Sequence, residues 1–322
     1  MILHFILTLS IILLGTPLLN AGTLLISNYP EEIYEPGILV STQLPSVRTR
    51  LMYYHLNRAP RDYLVHTLLQ NRTASPITIQ LIRAAGGPSQ DGIYSGHRSA
   101  MNYWTAIASG NWDTVTLAPF QRLNILSQSF RSQMVSTALF EFECPTPQAV
   151  ELIVGTIDPN LGSTSMLNQP AIPSSYGTFP YTTRPISVRY TFDLPVREIP
   201  IGDEPFLVDP QSGFALRGNY GLVYDITITA VNSSDSPREF SLLFAPAGGI
   251  SRGALLINRR LVETGFIGHK NNLAPEKVYS TMVAPRSQIQ VLVQTLPQGG
   301  CFYPVNLVIS SPTPTLNTKE PR

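Results

Sequence analysis

One stretch of this chain occurs twice, and that repetition constrains the fold more than any other feature. Residues 53–87 align without a gap onto residues 214–248, 161 positions later. Tyr63 falls on Tyr224, Asn71 on Asn232, Ser75 on Ser236, Pro76 on Pro237, Leu81 on Leu242, Ala84 on Ala245 and Gly87 on Gly248. Further along, Leu117-Ala118-Pro119 matches Val283-Ala284-Pro285, and Leu123, Ile125, Leu126 and Gln128 match Ile289, Val291, Leu292 and Gln294. Cys144-x-x-Pro147 and Cys301-x-x-Pro304 form a third match. Matches in one order imply two related units in tandem.

The residue types say what kind of unit. Charged residues make up 13% of the chain, about half the usual share, and there are 28 prolines. Low charge, many prolines and abundant Thr, Ser, Val and Ile suit short strands joined by turns. In Tyr63–Gln70 the alternate residues Tyr63, Val65, Thr67 and Leu69 are the expected core face, and Tyr224, Ile226, Ile228 and Ala230 are their partners in the second copy. Asn71 to Pro76 reads as the turn of a hairpin. The expected fold is all-β: two tandem immunoglobulin-like antiparallel β-sandwich domains, with one short helix in the first. That helix is expected over Ser99–Ala108, where Met101, Trp104, Ile107 and Ala108 form one apolar stripe, and it is expected to close one end of the sandwich.

The expected boundaries are a signal peptide over 1–21, a first domain over 22–158, a Pro/Ser/Gly-rich linker over 159–185, a second domain over 186–310 and a disordered tail over 311–322. The signal reading rests on the apolar run Phe5–Leu14, the break at Pro17 and the small residue Ala21 before Gly22. An uncleaved anchor is the alternative, although the run is short for a span of about 20 residues. Cleavage leaves no transmembrane span and places the chain at the cell surface, in the periplasm or outside the cell. Export also invites a disulfide between Cys144 and Cys301. Two buried thiols are the alternative. The net charge of +1 offers no basic excess for phosphates, which excludes nucleic acid as an expected partner.

Two segments carry a resemblance. Arg50-Leu-Met-Tyr-Tyr-His-Leu-Asn57, followed by Asn71, Gly87-Pro-Ser89, Asp91 and Gly96, resembles a run in uncharacterised exported bacterial proteins, as does Arg217-Gly-Asn-Tyr-Gly-Leu-Val-Tyr224 with Gly248-Gly249. Those proteins are of the kind associated with copper amine oxidase N-terminal-like modules. The resemblance implies a bacterial envelope protein with no established activity.

The chain has no H-E-x-x-H and no phosphate loop. His55, His66 and His97 fall in the first unit without ligand spacing and are read as surface or hydrogen-bonded histidines, so no metal or cofactor is expected. Glu141 and Glu143 alternate with Phe140 and Phe142, the pattern of a solvated strand face. Asn71-Arg-Thr73 and Asn232-Ser-Ser234 fit the glycosylation sequon but are read as turn asparagines. Aromatic residues in long connections are the better binding candidates: Tyr94, Trp104, Trp112, Tyr176 and Tyr181, with Tyr103 and Trp104 alternatively plugging the sandwich end. The expected role is a non-enzymatic structural or interaction module binding a cell-envelope component. A polysaccharide-binding accessory protein is the alternative, and a metal-dependent enzyme comes third.

Overall fold

A computed structural model of the chain describes residues 22–29, 31–172, 176–194, 196–268 and 275–310. The expected signal peptide and tail lie outside these residues. The first half contains Thr23–Ser27 (β1), Glu32–Ile33 (β2), Ile38–Gln43 (β3), Arg48–Asn57 (β4), Tyr63–Asn71 (β5), Ile77–Ser89 (β6), the helix Gly92–Ser109 (α1), Asp113–Leu117 (β7), Arg122–Phe130 (β8), Val135–Glu143 (β9) and Val150–Ile157 (β10). A 3-10 turn over Ser163–Asn168 and strand Gly177–Phe179 (β11) come next. The second half contains Thr183–Thr191 (β12), Arg197–Ile201 (β13), Leu207–Val208 (β14), Ala215–Leu216 (β15), Val223–Asn232 (β16), Arg238–Pro246 (β17), Ile250–Ser251 (β18), Ala254–Ile257 (β19), Arg260–Glu263 (β20), Ile267–Gly268 (β21), Glu276–Val283 (β22), Ser287–Thr295 (β23) and Val305–Ser310 (β24).

The chain is mostly β, with open sheets that face one another in pairs. In the first half, β11-β1-β4-β9-β6-β7 forms one sheet, with β2 also on β4, and β3-β10-β5-β8 forms the other. The core between them holds Leu51, Tyr53, Leu81, Phe140 and Phe142 from one sheet and Tyr63, Val65, Leu69, Leu152 and Val154 from the other. In the second half, β12-β16-β23-β19-β20 faces β13-β24-β17-β22. Ile226, Ile228, Ala230, Val291 and Val293 meet Phe240, Leu242, Phe244, Leu307 and Ile309 there. The core faces expected in β5 and β16 are buried, Tyr63, Val65, Thr67 and Leu69 in one and Tyr224, Ile226, Ile228 and Ala230 in the other; only β16 alternates, because His66 and Leu68 on the other face of β5 are buried too.

The Asn71 turn is not a hairpin. β5 and β6 belong to opposite sheets, and so do β16 and β17. Each turn is a corner where the chain crosses the core, and a buried asparagine builds it. Asn71 Nδ2 donates to the carbonyls of Ser75 (2.7 Å), Leu117 (3.2 Å) and Ala118 (3.0 Å), while its Oδ1 accepts from Thr73 N and Oγ1. Asn232 Nδ2 donates to Ser236, Val283 and Ala284, and its Oδ1 accepts from Ser234 N and Oγ. The sequon Thr and Ser are therefore spent inside the turn, and a glycan on either Nδ2 would displace these bonds. Sheet registers repeat too: Ile77 pairs with Leu117 and Arg238 with Val283, while Leu81 pairs with Phe142 and Leu242 with Ile309.

The cysteine match does not extend to structure. Cys144 follows β9, whereas Cys301 precedes β24, although β9 and β24 hold like places beside β6 and β17. The two residues sit at opposite ends of comparable strands. Both are free and buried, with no disulfide between them.

The central strands of sheet β11-β1-β4-β9-β6-β7 are buried on both faces, while β7 at its edge is largely exposed. Side chains alternate across a strand, and here both sets are apolar: Leu25, Leu51, Leu81 and Phe140 face the first core, while Leu24, Ile26, Met52, Ile82, Ala84 and Leu139 belong to a cluster continuous with the second half. Helix α1 covers part of this second face and also packs on β19 and β20. It is a wedge between the halves rather than an end plug. It starts earlier than expected because Asp91 Oδ1 caps it, accepting from Tyr94 N at 3.0 Å. Gly96 inside it is required by a close approach: a Cβ there would lie 1.7 Å from Gly299 O of the second half. The described residues of the stretch expected as a linker pack into the fold: β11 pairs with β1, Met166 and Phe179 are buried, and β12 begins within it at Thr183.

Candidate ligand-binding groove

The junction between the halves carries the chain's buried charge. Arg50 on β4 lies directly opposite Glu141 on β9, on the sheet face that the second half covers. Arg50 Nε donates to Glu141 Oε2 at 2.6 Å, and its other nitrogens donate to Thr182 O (2.6 Å), Gly221 O (3.1 Å) and Tyr103 Oη (2.9 Å). Tyr103 Oη in turn donates to Glu141 Oε2 at 3.1 Å. Arg48 Nε faces the other Glu141 oxygen at 3.4 Å, close enough to pair in charge but outside hydrogen-bond geometry. Burial works against the Arg50 charge, but Glu141 and Tyr103 outweigh it and hold its pKa above the usual arginine value. Burial also pushes the Tyr103 hydroxyl up, so it stays protonated as a donor. Glu141 is thus not on a solvated face: it is 1% exposed and pairs an arginine that clamps two carbonyls of the second half.

A second contact lies under α1. His97 Nε2 is 3.0 Å from Glu263 Oε2, and Gln298 Nε2 lies 3.2 Å from His97 Nδ1. Gln298 Nε2 also donates to Arg252 O and Cys301 Sγ. Burial lowers the His97 pKa, with Arg252 adding to the fall and Glu263 opposing it. Burial raises the Cys301 thiol. His55 instead meets Ser27 Oγ (3.0 Å), and His66 meets Ser127 Oγ (2.7 Å) and Asn124. The three histidines do not converge. Among the described residues no group of three or more His, Cys, Asp or Glu could hold a metal ion, and no helix is long and apolar enough to cross a membrane.

Beside this junction opens a groove with a cavity of about 690 Å³, within the usual size for a ligand site, roughly 300–1,000 Å³. One wall is the end of β1 with Asn28 and Tyr29, the next is β11 with Tyr176 before it, and the third is the turn between β14 and β15. That turn is braced from within. Asp209 Oδ1 accepts from Gln211 N (2.8 Å) and Ser212 N (3.4 Å), and Oδ2 accepts from Thr178 N of β11 (3.2 Å). Gly213 takes φ +72° and donates to Asp209 O, while Asp209 N donates to Phe214 O. Burial disfavours the Asp209 carboxylate, but these backbone donors prevail and hold its pKa below the ordinary value. The turn holds Phe214 outward, 55% exposed, and Tyr29, 66% exposed, lines the same groove.

Of the five aromatic residues expected to bind, the groove contains Tyr176 alone, whose hydroxyl donates to Ser41 O at 3.1 Å. Trp104 is 2% exposed in the core and cannot meet a ligand; Trp112 and Tyr181 are half-buried against the same cluster. Tyr94 is exposed on α1 and accepts from Arg98 Nη1. Sequence reasoning misses Tyr29 and Phe214, because single aromatics beside Asn-Tyr-Pro and Ser-Gly-Phe turns look like ordinary loop residues. One signal does exist: Asp209-x-Gln211-Ser-Gly213 is the composition of a tight side-chain-braced turn, which holds the next residue, Phe214, in a fixed position.

Comparison with known proteins adds little. No family model matches the chain, and no curated protein matches it. Among solved structures, dimeric latent PorU from Porphyromonas gingivalis is 8% identical over 89% of this chain and 20% of that one, with a TM-score of 0.16. Lac15 from a marine microbial metagenome is 14% identical over 85% of this chain and 59% of that one, with a TM-score of 0.14. The chain spans less than two thirds of either, and neither likeness carries an argument about fold or function.

Proposed function

We propose that this chain is a non-enzymatic, exported interaction module of the bacterial cell envelope, built from two copies of an immunoglobulin-like sandwich held in one fixed geometry. The repeated asparagine corners and matching registers support the duplication. Support for the module reading comes from the junction. A continuous apolar cluster and a buried arginine clamp join the halves, so a ligand at the groove meets a preformed surface rather than a hinge. Polysaccharide binding is the second reading, favoured by the exposed Tyr29 and Phe214 on the groove walls.

The test is co-sedimentation of the full chain with bacterial envelope fractions, against a heat-unfolded control. Fold-dependent sedimentation is expected, and Arg50→Ala should weaken it by loosening the junction. Equal sedimentation of folded and unfolded chain would refute the module reading.

A further inference from the structure

We infer that the junction groove binds an uncharged oligosaccharide, with Tyr29 and Phe214 as stacking platforms. This rests on the interaction-module reading and names the ligand class of that site.

The groove's electrostatics select the class. Among the described residues that line it, Asp209 is the one carboxylate and there is no Lys, Arg or His. Its oxygens already accept three backbone N–H groups, so its charge is compensated and most of its acceptor capacity is used. A cationic ligand finds no free carboxylate and an anionic one finds no cation. Desolvating a charge without such a partner disfavours both. An apolar ligand fits poorly as well, because Asn28, Thr178 and Gln211 line the same cavity. Their side chains make no hydrogen bond within the chain among the described residues, which leaves two amides and a hydroxyl able both to donate and to accept.

Sugar rings present the chemistry this lining complements: an apolar C–H face beside a girdle of hydroxyls that need both donors and acceptors. Aromatic rings bury the C–H face without losing polar contacts. The arrangement is also preorganised. Phe214 follows the positive-φ Gly213 in a turn braced by Asp209, and Tyr29 follows β1, which is paired to both β4 and β11. Fixing aromatic platforms before the ligand arrives removes ordering cost at binding. The three walls come from β1, β11 and the β14–β15 turn, so the site exists only when the halves are docked.

Titration calorimetry with cellohexaose, maltohexaose and chitohexaose tests the class, with hexagalacturonate as the charged comparator. At least one neutral oligomer should bind, and the acidic one should bind at least tenfold more weakly. Tyr29→Ala and Phe214→Ala should each weaken binding by about tenfold, the order of one aromatic contact. Both are exposed, so the folded baseline should persist; Phe302→Ala, at an equally exposed ring away from the groove, should bind as the parent does. Absence of binding by all three neutral oligomers, equal binding of hexagalacturonate, or undiminished binding by both groove variants would overturn the inference. Envelope sedimentation without neutral-sugar binding would remove this inference and leave the module reading standing. Sugar binding without envelope sedimentation would do the reverse.

Discussion

Replacing Glu141 by Gln keeps the side-chain shape at the junction and removes only its charge. Arg50 is 3% exposed and Glu141 1%, so the arginine would remain buried without a counter-ion. Breaking one side of a buried pair costs about 3–5 kcal/mol, against less than about 1 kcal/mol for an exposed pair. Three contacts moderate the loss here. Arg50 keeps the carbonyls of Thr182 and Gly221 and the Tyr103 hydroxyl, and the Gln oxygen can still accept from Nε. The expected loss for Glu141→Gln is therefore near the lower end, about 3 kcal/mol. Glu141→Ala also loses that remaining bond and leaves a void, and should approach about 5 kcal/mol. Removing both charges together, as Arg50→Met with Glu141→Leu, leaves no buried charge unpaired but strands the Thr182 and Gly221 carbonyls, so it should cost less than the sum of the two single changes. Urea unfolding followed by tryptophan fluorescence reads this directly, since Trp104 and Trp112 both belong to the cluster at the junction. A Glu141→Gln loss below about 1 kcal/mol would refute the reasoning, because that is the behaviour of a solvated pair. A double variant that loses at least the sum of the two single changes would refute it as well.

The other predictions address single contacts. Asn71→Asp and Asn232→Asp should each destabilise by about 2–4 kcal/mol, because a carboxylate cannot donate to the three carbonyls that each Nδ2 serves; melting temperatures matching the parent would contradict this. Gly96→Ala, which in an exposed helix would stabilise by about 1 kcal/mol, should here destabilise, since the new Cβ meets Gly299 O; thermal unfolding gives the sign. His97 and His66 both have pKa values lowered by burial, so below about pH 6.5 the unfolded chain takes protons that the folded chain resists. Their contribution is complete above that pH and is lost as pH falls through the lower folded values. His97→Gln should flatten the fall in melting temperature between about pH 7 and about pH 5, and an unchanged slope would show that His97 does not contribute.

The sequence made the strand faces legible and hid the junction, and particular residues show why. Alternation in Tyr224–Ala230 reads correctly because that strand has one face in a sandwich core, whereas in Tyr63–Leu69 it finds the core face but misses that His66 and Leu68 behind it are buried too. The same rule misreads Glu141. A charged residue alternating with Phe140 and Phe142 suggests solvent, yet that face meets a second sandwich, and the charge is balanced by Arg50 far away in sequence. Periodicity reports that two faces differ; it cannot report that the polar one is covered. The better signal is adjacency. Leu24-Leu25-Ile26 and Leu51-Met52-Tyr53 are unbroken apolar runs, as strands buried on both sides require, and these strands neighbour each other in the sheet that the second half covers. An arginine at the head of such a run, at Arg50, points toward a buried pair rather than a solvated surface. The groove was harder to see for a different reason. Its walls come from three segments that meet only after docking, so Tyr29 and Phe214 gain meaning from the interface and not from their own neighbours in the chain. The same dependence gives the two experimental questions a common structural basis: a variant that loosens the Arg50 clamp should weaken a ligand at the groove even though Arg50 does not line it, by separating the walls that carry Tyr29 and Phe214.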